Sequence, residues 1–385
     1  MKKLNANLTI ILLILVGCTG CHHSDTRNDE LITVDVTANY PKKELILQDF
    51  MDVEYIPLET TDEFLCQGSL WAVGKDIIVV TNFNRDGNIF IFDRKGKALR
   101  KINRKGQGSE EYTNYSRIVL DEEKGEIFVN NDFAKKILVY DLEGNFKRSL
   151  SVKGDLSLFE LYNFDRDNFI CHDTFQGNTG QSFMLISKQD GNITQEIKIP
   201  FEEKKTIQIR FEDKTVSGRF YVYSPQTSHP IMPYFNDYIL TEYSADTLYR
   251  YLPDHTMKPF IARTPSVQSM NPEIYLQLSM LTERYYFVEA IEKTMEFSTT
   301  YIVYDKQEKA LFRYKVYNND YINKKETFLS SRRPLNSTIS SWQCLESWEL
   351  VKDYEKGRLK GRLKDIASKL DEESNPVIML IKHKK

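Results

Sequence analysis

One recurring motif limits the fold of this chain more than any single residue does. IFIFDRKGKALRKI (89–102) aligns without gaps with ILVYDLEGNFKRSL (137–150), 48 residues later. Each copy has four alternating large apolar residues, an Asp, a turn closed by Gly96 or Gly144, and a second strand. The pattern returns in FMLISKQDGNITQEI (183–197), TLYRYLPDHTMKPFI (247–261) and YIVYDKQEKALFRYKV (301–316). The Asp or Gly supplies a turn conformation that branched residues resist, so each copy reads as a β-hairpin.

A further short apolar strand precedes every hairpin: DIIVVTN from Asp76, EIFVNND from Glu126, NFICHDT from Asn168, DYILTEY from Asp237 and RYYFVEA from Arg284. One such sheet cannot bury both of its faces alone, so strand plus hairpin at intervals of about 45 to 65 residues is the signature of propeller blades. Helical repeats of this length would show stripes at 3.6-residue spacing, which these runs lack. Two ends remain. The segments 31–36 and 53–58 and the terminal 377–381, started by Pro376, are expected to form a sixth blade that closes the ring and removes free sheet edges. Leu359, Leu363, Ile366 and Leu370 fall at helical spacing. The expected fold is therefore all-β: a six-bladed β-propeller over 31–385, closed by N- and C-terminal strands, with one short C-terminal amphipathic helix.

The N-terminus carries a different signal. Lys2 and Lys3 precede an apolar run over 8–16, the length of a signal-peptide core rather than a membrane span. The run ends in Leu15-Val16-Gly17-Cys18, which resembles the bacterial lipobox. The next residues, CTGCHH, also spell C-x-x-C-H, a haem-attachment pattern. One sulfur cannot carry both a lipid and a haem, and the lipobox sits where the apolar run stops. Cys18 is therefore read as the lipidated residue, 1–17 as the signal peptide and 18–30 as a polar tether. Stable anchoring takes more than one acyl chain, and lipoproteins of this kind usually carry three. The residues after Cys18 lack a compact acidic run, which favours an outer-membrane anchor facing the periplasm over surface exposure.

Composition removes other classes. The formal charge is -3, and losing Lys2 and Lys3 with the signal peptide takes it to -5, with both signs interspersed. Nothing in that surface calls for nucleic acid. The 22 Tyr and 22 Phe against 17 Gly and 12 Pro describe a packed, strand-rich chain rather than a disordered one. Cys66, Cys171 and Cys344 are an odd set and do not make a disulfide framework. A monomer is expected.

With these motifs in place the chain resembles the six-bladed β-propeller lipoproteins of Bacteroidetes, related in architecture to NHL-repeat propellers. The resemblance rests on the lipobox, on YIPLET (55–60), on FDRKGKALRKINRKGQGSEEY (92–112) and on NPVIML (375–380). Ser109 stands where that family more often has Pro. The resemblance implies fold and envelope location, and through the family's association with nutrient acquisition it implies a glycan or peptide context. It assigns no activity, because one propeller scaffold serves many.

Within GQGSEEY, the third glycine of a dinucleotide fingerprint is missing and no helix follows. One reading is a tight inter-blade turn. The other is a ligand-binding loop presenting Arg104, Glu110, Glu111 and Tyr112. Cys171-His172-Asp173 suggests a nucleophile and its base, but neighbouring strand residues point to opposite faces. His229 and His255 are read as surface residues, and no metal or cofactor site is assigned. Asn130, Asn131, Asp132 and Asp173 fall near strand ends, where a propeller lyase or lactonase would gather ligands for a divalent ion. The insertion at 201–235 lengthens one connection and carries Tyr221, Tyr223, Tyr234 and Phe235, suited to stacking on a sugar ring or a peptide. The expected function is a lipid-anchored binding or scaffold module for a polypeptide or glycan. A metal-dependent lactonase or lyase is the alternative.

Overall fold

The computed structural model describes residues 30–152, 156–173, 182–216, 218–225, 228–330 and 335–384. The expected signal peptide, Cys18 and nearly all of the expected tether lie outside them. Residues 31–385 make one unit.

The N-terminal segment gives β1 (Ile32–Asp35), β2 (Lys42–Ile46), a single helical turn α1 (Leu47–Phe50) and β3 (Met51–Pro57). Blade one is β4 (Ser69–Val73), β5 (Ile77–Thr81), β6 (Asn88–Asp93) and β7 (Ala98–Asn103). Blade two is β8 (Arg117–Asp121), β9 (Glu126–Asn131), β10 (Lys136–Asp141) and β11 (Phe146–Ser151). Blade three is β12 (Glu160–Asn163), β13 (Asn168–His172), β14 (Phe183–Ser187) and β15 (Ile193–Ile197). A separate two-stranded ribbon follows, β16 (Ile209–Glu212) with β17 (Phe220–Tyr223). Blade four is β18 (Ile231–Tyr234), β19 (Asp237–Leu240), β20 (Thr247–Tyr251) and β21 (Met257–Thr264). Blade five is β22 (Ile274–Leu281), β23 (Tyr285–Glu292), β24 (Thr299–Asp305) and β25 (Ala310–Asn318), with β26 (Lys325–Glu326) added to β25. The sixth sheet joins β27 (Ile339–Leu345) and β28 (Val377–His383) to β3. The six sheets form a ring, a six-bladed β-propeller.

All five expected hairpins form as the outer strand pairs of blades one to five. The repeated Asp closes three of their turns: Asp93 accepts from the backbone N–H of Lys95 and Lys97, Asp141 from Glu143 and Asn145, and Asp305 from Gln307 and Glu308. Gly96 shows why glycine was chosen in the first. Its φ is +86°, and a Cβ there would lie 2.0 Å from the carbonyl oxygen of Pro57 on the adjacent blade. In the turns of blades four and five, His255 and Lys309 hold the positive φ instead. The strands that the hairpin pattern does not reveal are β4, β8, β12, β18 and β22, the first strand of each blade.

Closure differs from expectation in one respect. β3 pairs antiparallel with β28, setting Tyr55 opposite Met379 and Ile56 opposite Ile378, so YIPLET and NPVIML are the two halves of one seam. Asn375 locks it: its side chain accepts from Cys66 N–H and donates to Glu59 O. But 31–36 does not enter the sixth blade. β1 runs parallel to β21 on blade four, and β2 runs parallel to β25 on blade five. The reason is the continuing alternation of buried residues, which puts Ile32, Val34 and Val36 into the core shared by blades four and five. Lys43 then pins β2 by ion pairs to Asp305 and Glu308, both at 2.6 Å. One extended segment thus laces three consecutive blades.

Between β27 and β28 lie two helices, α2 (Ser347–Glu355) and α3 (Gly361–Ala367). The second is the expected one, with Leu363 and Ile366 buried beside β3 and β28. The first was not expected.

Candidate functional site

The two ends of the ring are built differently. At one end, side chains tie neighbouring blades together. Asn336 donates to Val73 O, Arg117 to Leu161 O and Asn163 to Leu120 O, while Glu122 accepts from Asp76 and Ile77 N–H. The Arg117 guanidinium also lies 4.3 Å from the centre of the Tyr162 ring. A cavity of about 620 Å³ at this end is walled in part by these residues. Tyr234 and Phe235 belong here too, Phe235 stacked on His383 and Tyr234 edge-on to it.

The opposite end holds a larger cavity, about 1180 Å³. Trp71, Phe83, Tyr223, Phe297, Tyr301, Phe328 and Trp342 line it, with Arg85 and Glu296 as its charged residues. Blades one, five and six contribute, and the β16–β17 ribbon reaches it through Tyr223, Ser224 and Pro225. Phe83, Tyr223 and Phe328 are 43, 43 and 60% exposed, so aromatic surface stands open to solvent at this cavity. Rings offer broad apolar faces with few orientational demands, the surface that suits sugar rings and peptide side chains.

Beside it lies a smaller cavity of about 170 Å³, lined among others by Glu160, His172, Ser224, Ser228 and Tyr243. β12 and β13 are registered with Glu160 opposite His172, so both side chains fall on one face of blade three. Burial pushes the His172 imidazole down to about 4, against the pull of Glu242, Glu160 and Asp173, and Lys204 adds to the fall. A hydrogen-bond chain whose two arms both donate toward Glu289 connects the two cavities. Ser330, on the wall of the large one, donates to Glu289, and Gln277 donates to Glu289 at 2.7 Å. Tyr243 donates to Gln277 at 2.8 Å and meets Ser228 at 2.7 Å.

The residues singled out in the sequence are scattered. Tyr112 is fully buried: its hydroxyl donates to Gly87 O and its ring meets Tyr115 and Tyr140 edge-on. It serves the core, because its position in GQGSEEY is where the loop closes back on Arg104. Arg104, Glu110 and Glu111 are exposed, and neither they nor Tyr112 line a cavity described above. Arg104 bonds to Gly144 O of the next blade, and the Glu111 carboxylate folds onto Gly108 N–H. A Cβ on Gly106 would sit 1.9 Å from that carboxylate and would push it off Gly108.

Cys171 and His172 point to opposite faces. The Cys171 thiol is buried in the core between blades two and three, and burial pushes it far up. Asp132 and Asp173 hold the connection that leads into β12: Asp132 accepts from Ser157 Oγ and Leu158 N–H, and Asp173 from Ser157 N–H. Asn130 donates to Leu158 O. Among the described residues no three His, Cys, Asp or Glu side chains are grouped as a metal site would need. His229 is buried rather than at the surface, because the segment holding it runs into the first strand of blade four. His255 is exposed as expected.

Sequence reasoning found Tyr223 through the insertion but missed Trp71, Phe83, Phe328, Trp342, Glu160 and Tyr243. Most lie on or beside first strands and connections that the hairpin repeat does not mark.

Comparison with one known structure bears out the architecture. An exported protein of Bacteroides fragilis is similar at 15% identity with a TM-score of 0.61, covering 92% of this chain and 100% of that one. A member of the duf4221 family from Bacteroides vulgatus is similar at 10% identity with a TM-score of 0.46, covering 87% and 98%. Virginiamycin B lyase of Staphylococcus aureus is more distant, at 10% identity and a TM-score of 0.38, covering 86% and 99%. No curated protein matches. The family described as Domain of unknown function (DUF4934) matches residues 31–382, the whole ring, and this chain belongs to it.

Proposed function

We propose that this chain is a binding module of the cell envelope, held to the membrane through lipid on Cys18, and that it takes a polypeptide or glycan segment into the aromatic-lined cavity. The observation that carries the binding reading is the contrast between the ends of the ring. Polar side chains at one end are engaged in joining blades, whereas the other presents seven aromatic residues around about 1180 Å³, three of them well exposed. Exposed aromatic surface of this kind marks interaction sites. Asn130, Asp132 and Asp173, which a metal-dependent lyase would need as ligands, have donors or acceptors in the connection they support, so binding is favoured over the enzymatic alternative.

The test is an array of unmodified peptides and oligosaccharides probed with the full chain and with a Tyr223→Ala, Phe328→Ala double variant. Both side chains are exposed, so the fold should survive their loss. Ligands retained by the wild type and lost by the variant are expected; equal retention would overturn the assignment of the cavity. For the anchor, Cys18→Ala should move the protein from the membrane fraction to the soluble one, and a variant that stays with membranes would contradict it.

A further inference from the structure

The small cavity beside the aromatic one has a chemistry of its own. Gln277 donates to the Glu289 carboxylate, so its amide oxygen faces Tyr243, and Tyr243 uses its single proton to reach that oxygen. Ser228 must then donate to Tyr243, leaving its lone pairs for the cavity. Tyr162 donates to Glu160 at 2.7 Å, yet among the described residues no cation pairs with that carboxylate. His172 is over nine-tenths buried, lines the cavity, and its Nδ1 has no hydrogen-bond partner among the described residues. Two lysines are close and both are paired: Lys204 with Glu242 at 2.8 Å, and Lys205, itself on the cavity wall, with Glu203 outside it at 3.2 Å. The wall therefore offers one unbalanced negative charge and several unfilled acceptors.

We propose that this cavity binds a compact organic ammonium group, with Glu160 as its counter-ion and His172 Nδ1 and Ser228 Oγ as acceptors. An ammonium brings three donors in a small volume, matching three acceptors. A space of about 170 Å³ holds roughly five waters at about 30 Å³ each, enough for an amine of a few heavy atoms and too small for a sugar chain. Because burial keeps the imidazole neutral near pH 7, Nδ1 is free to accept when the proton sits on Nε2. The ammonium could be that of a free small amine or the α-ammonium of a peptide. The site stands whichever polymer occupies the large cavity.

The experiment follows the ring nitrogens of ¹⁵N-histidine in the full chain by NMR, titrated with ethanolamine, glycinamide and Gly-Gly, and with their neutral counterparts ethylene glycol, N-acetylglycinamide and N-acetyl-Gly-Gly. A saturable shift of the His172 Nδ1 signal is expected with the amines, and affinity roughly tenfold or more lower for the neutral counterparts. Glu160→Gln, which keeps an oxygen for Tyr162, should lose binding by a similar factor. Preference for Gly-Gly would assign a peptide terminus, and preference for ethanolamine a free amine. Equal binding of amines and neutral counterparts overturns the proposal in the wild-type protein alone, as does the absence of any His172 shift or undiminished binding by a folded Glu160→Gln.

Discussion

The Gly106–Tyr112 loop and the aromatic cavity are both connections on the same scaffold, and both carry charged and aromatic residues. They treat them in opposite ways. The loop satisfies itself: Glu111 caps Gly108, Arg104 reaches Gly144 O, and Tyr112 is buried with its hydroxyl bonded at both ends. The cavity leaves ring faces exposed at Phe83, Tyr223 and Phe328. A dense cluster of functional-looking residues can thus be a structural joint, whereas binding surface is recognised by what it leaves unused.

The largest effect that could break this comparison is Tyr112→Ala. A fully buried ring bonded to Gly87 O should cost about 3–5 kcal/mol on truncation, read as a fall in denaturant midpoint. A change under about 1 kcal/mol would return Tyr112 to the surface and to ligand binding. Next is Gly106→Ala. Its Cβ would displace the exposed Glu111 carboxylate from Gly108 N–H, so a loss of about 0.5–1 kcal/mol is expected, and most of it should disappear when Glu111→Ala is added. Additive losses in that double-mutant cycle would contradict the packing account.

A subtler effect belongs to the cavity side. His172 is pushed down to about 4 from 6.5, so between those values the unfolded chain binds more protons than the folded one. Its contribution to stability is complete above pH 6.5 and falls as the pH drops toward 4. Glu242, whose carboxyl is held low by Lys204 and Ser182 against the effect of burial, adds loss on the acid side. The urea midpoint should therefore fall as the pH drops from 6.5 toward 4, and His172→Asn should flatten that dependence on pH. A slope unchanged in the variant would mean that His172 is not a buried neutral imidazole.

The sequence made the blades legible because each hairpin repeats an alternation, an Asp and a turn glycine, signals that are local. Closure was legible in YIPLET and NPVIML, since both run as short apolar strands at the chain ends. The lacing of β1 and β2 along blades four and five was not, because 31–36 reads as a strand without saying which edge it joins. The site was less visible still. Tyr223 stood out inside an insertion, but Trp71 and Trp342 enter the cavity only when the ring brings blades one and six together. Glu160 and His172 meet only through the β12–β13 register. GQGSEEY drew attention through composition, which does not distinguish a satisfied turn from an open one.

The central claim, that ligand enters the aromatic cavity, has a built-in reporter. Of the three tryptophans, Trp342 lines that cavity, Trp71 lines both it and the opposite one, and Trp348 sits on α2, so a Trp71→Phe change leaves Trp342 as the specific reporter. In a Trp71→Phe, Trp348→Phe variant, a ligand selected on the peptide and oligosaccharide array should change tryptophan emission saturably, with the affinity measured by calorimetry. Binding that leaves the emission untouched, and that is lost instead in a Glu110→Ala, Glu111→Ala variant, would place the site on the loop and contradict the account.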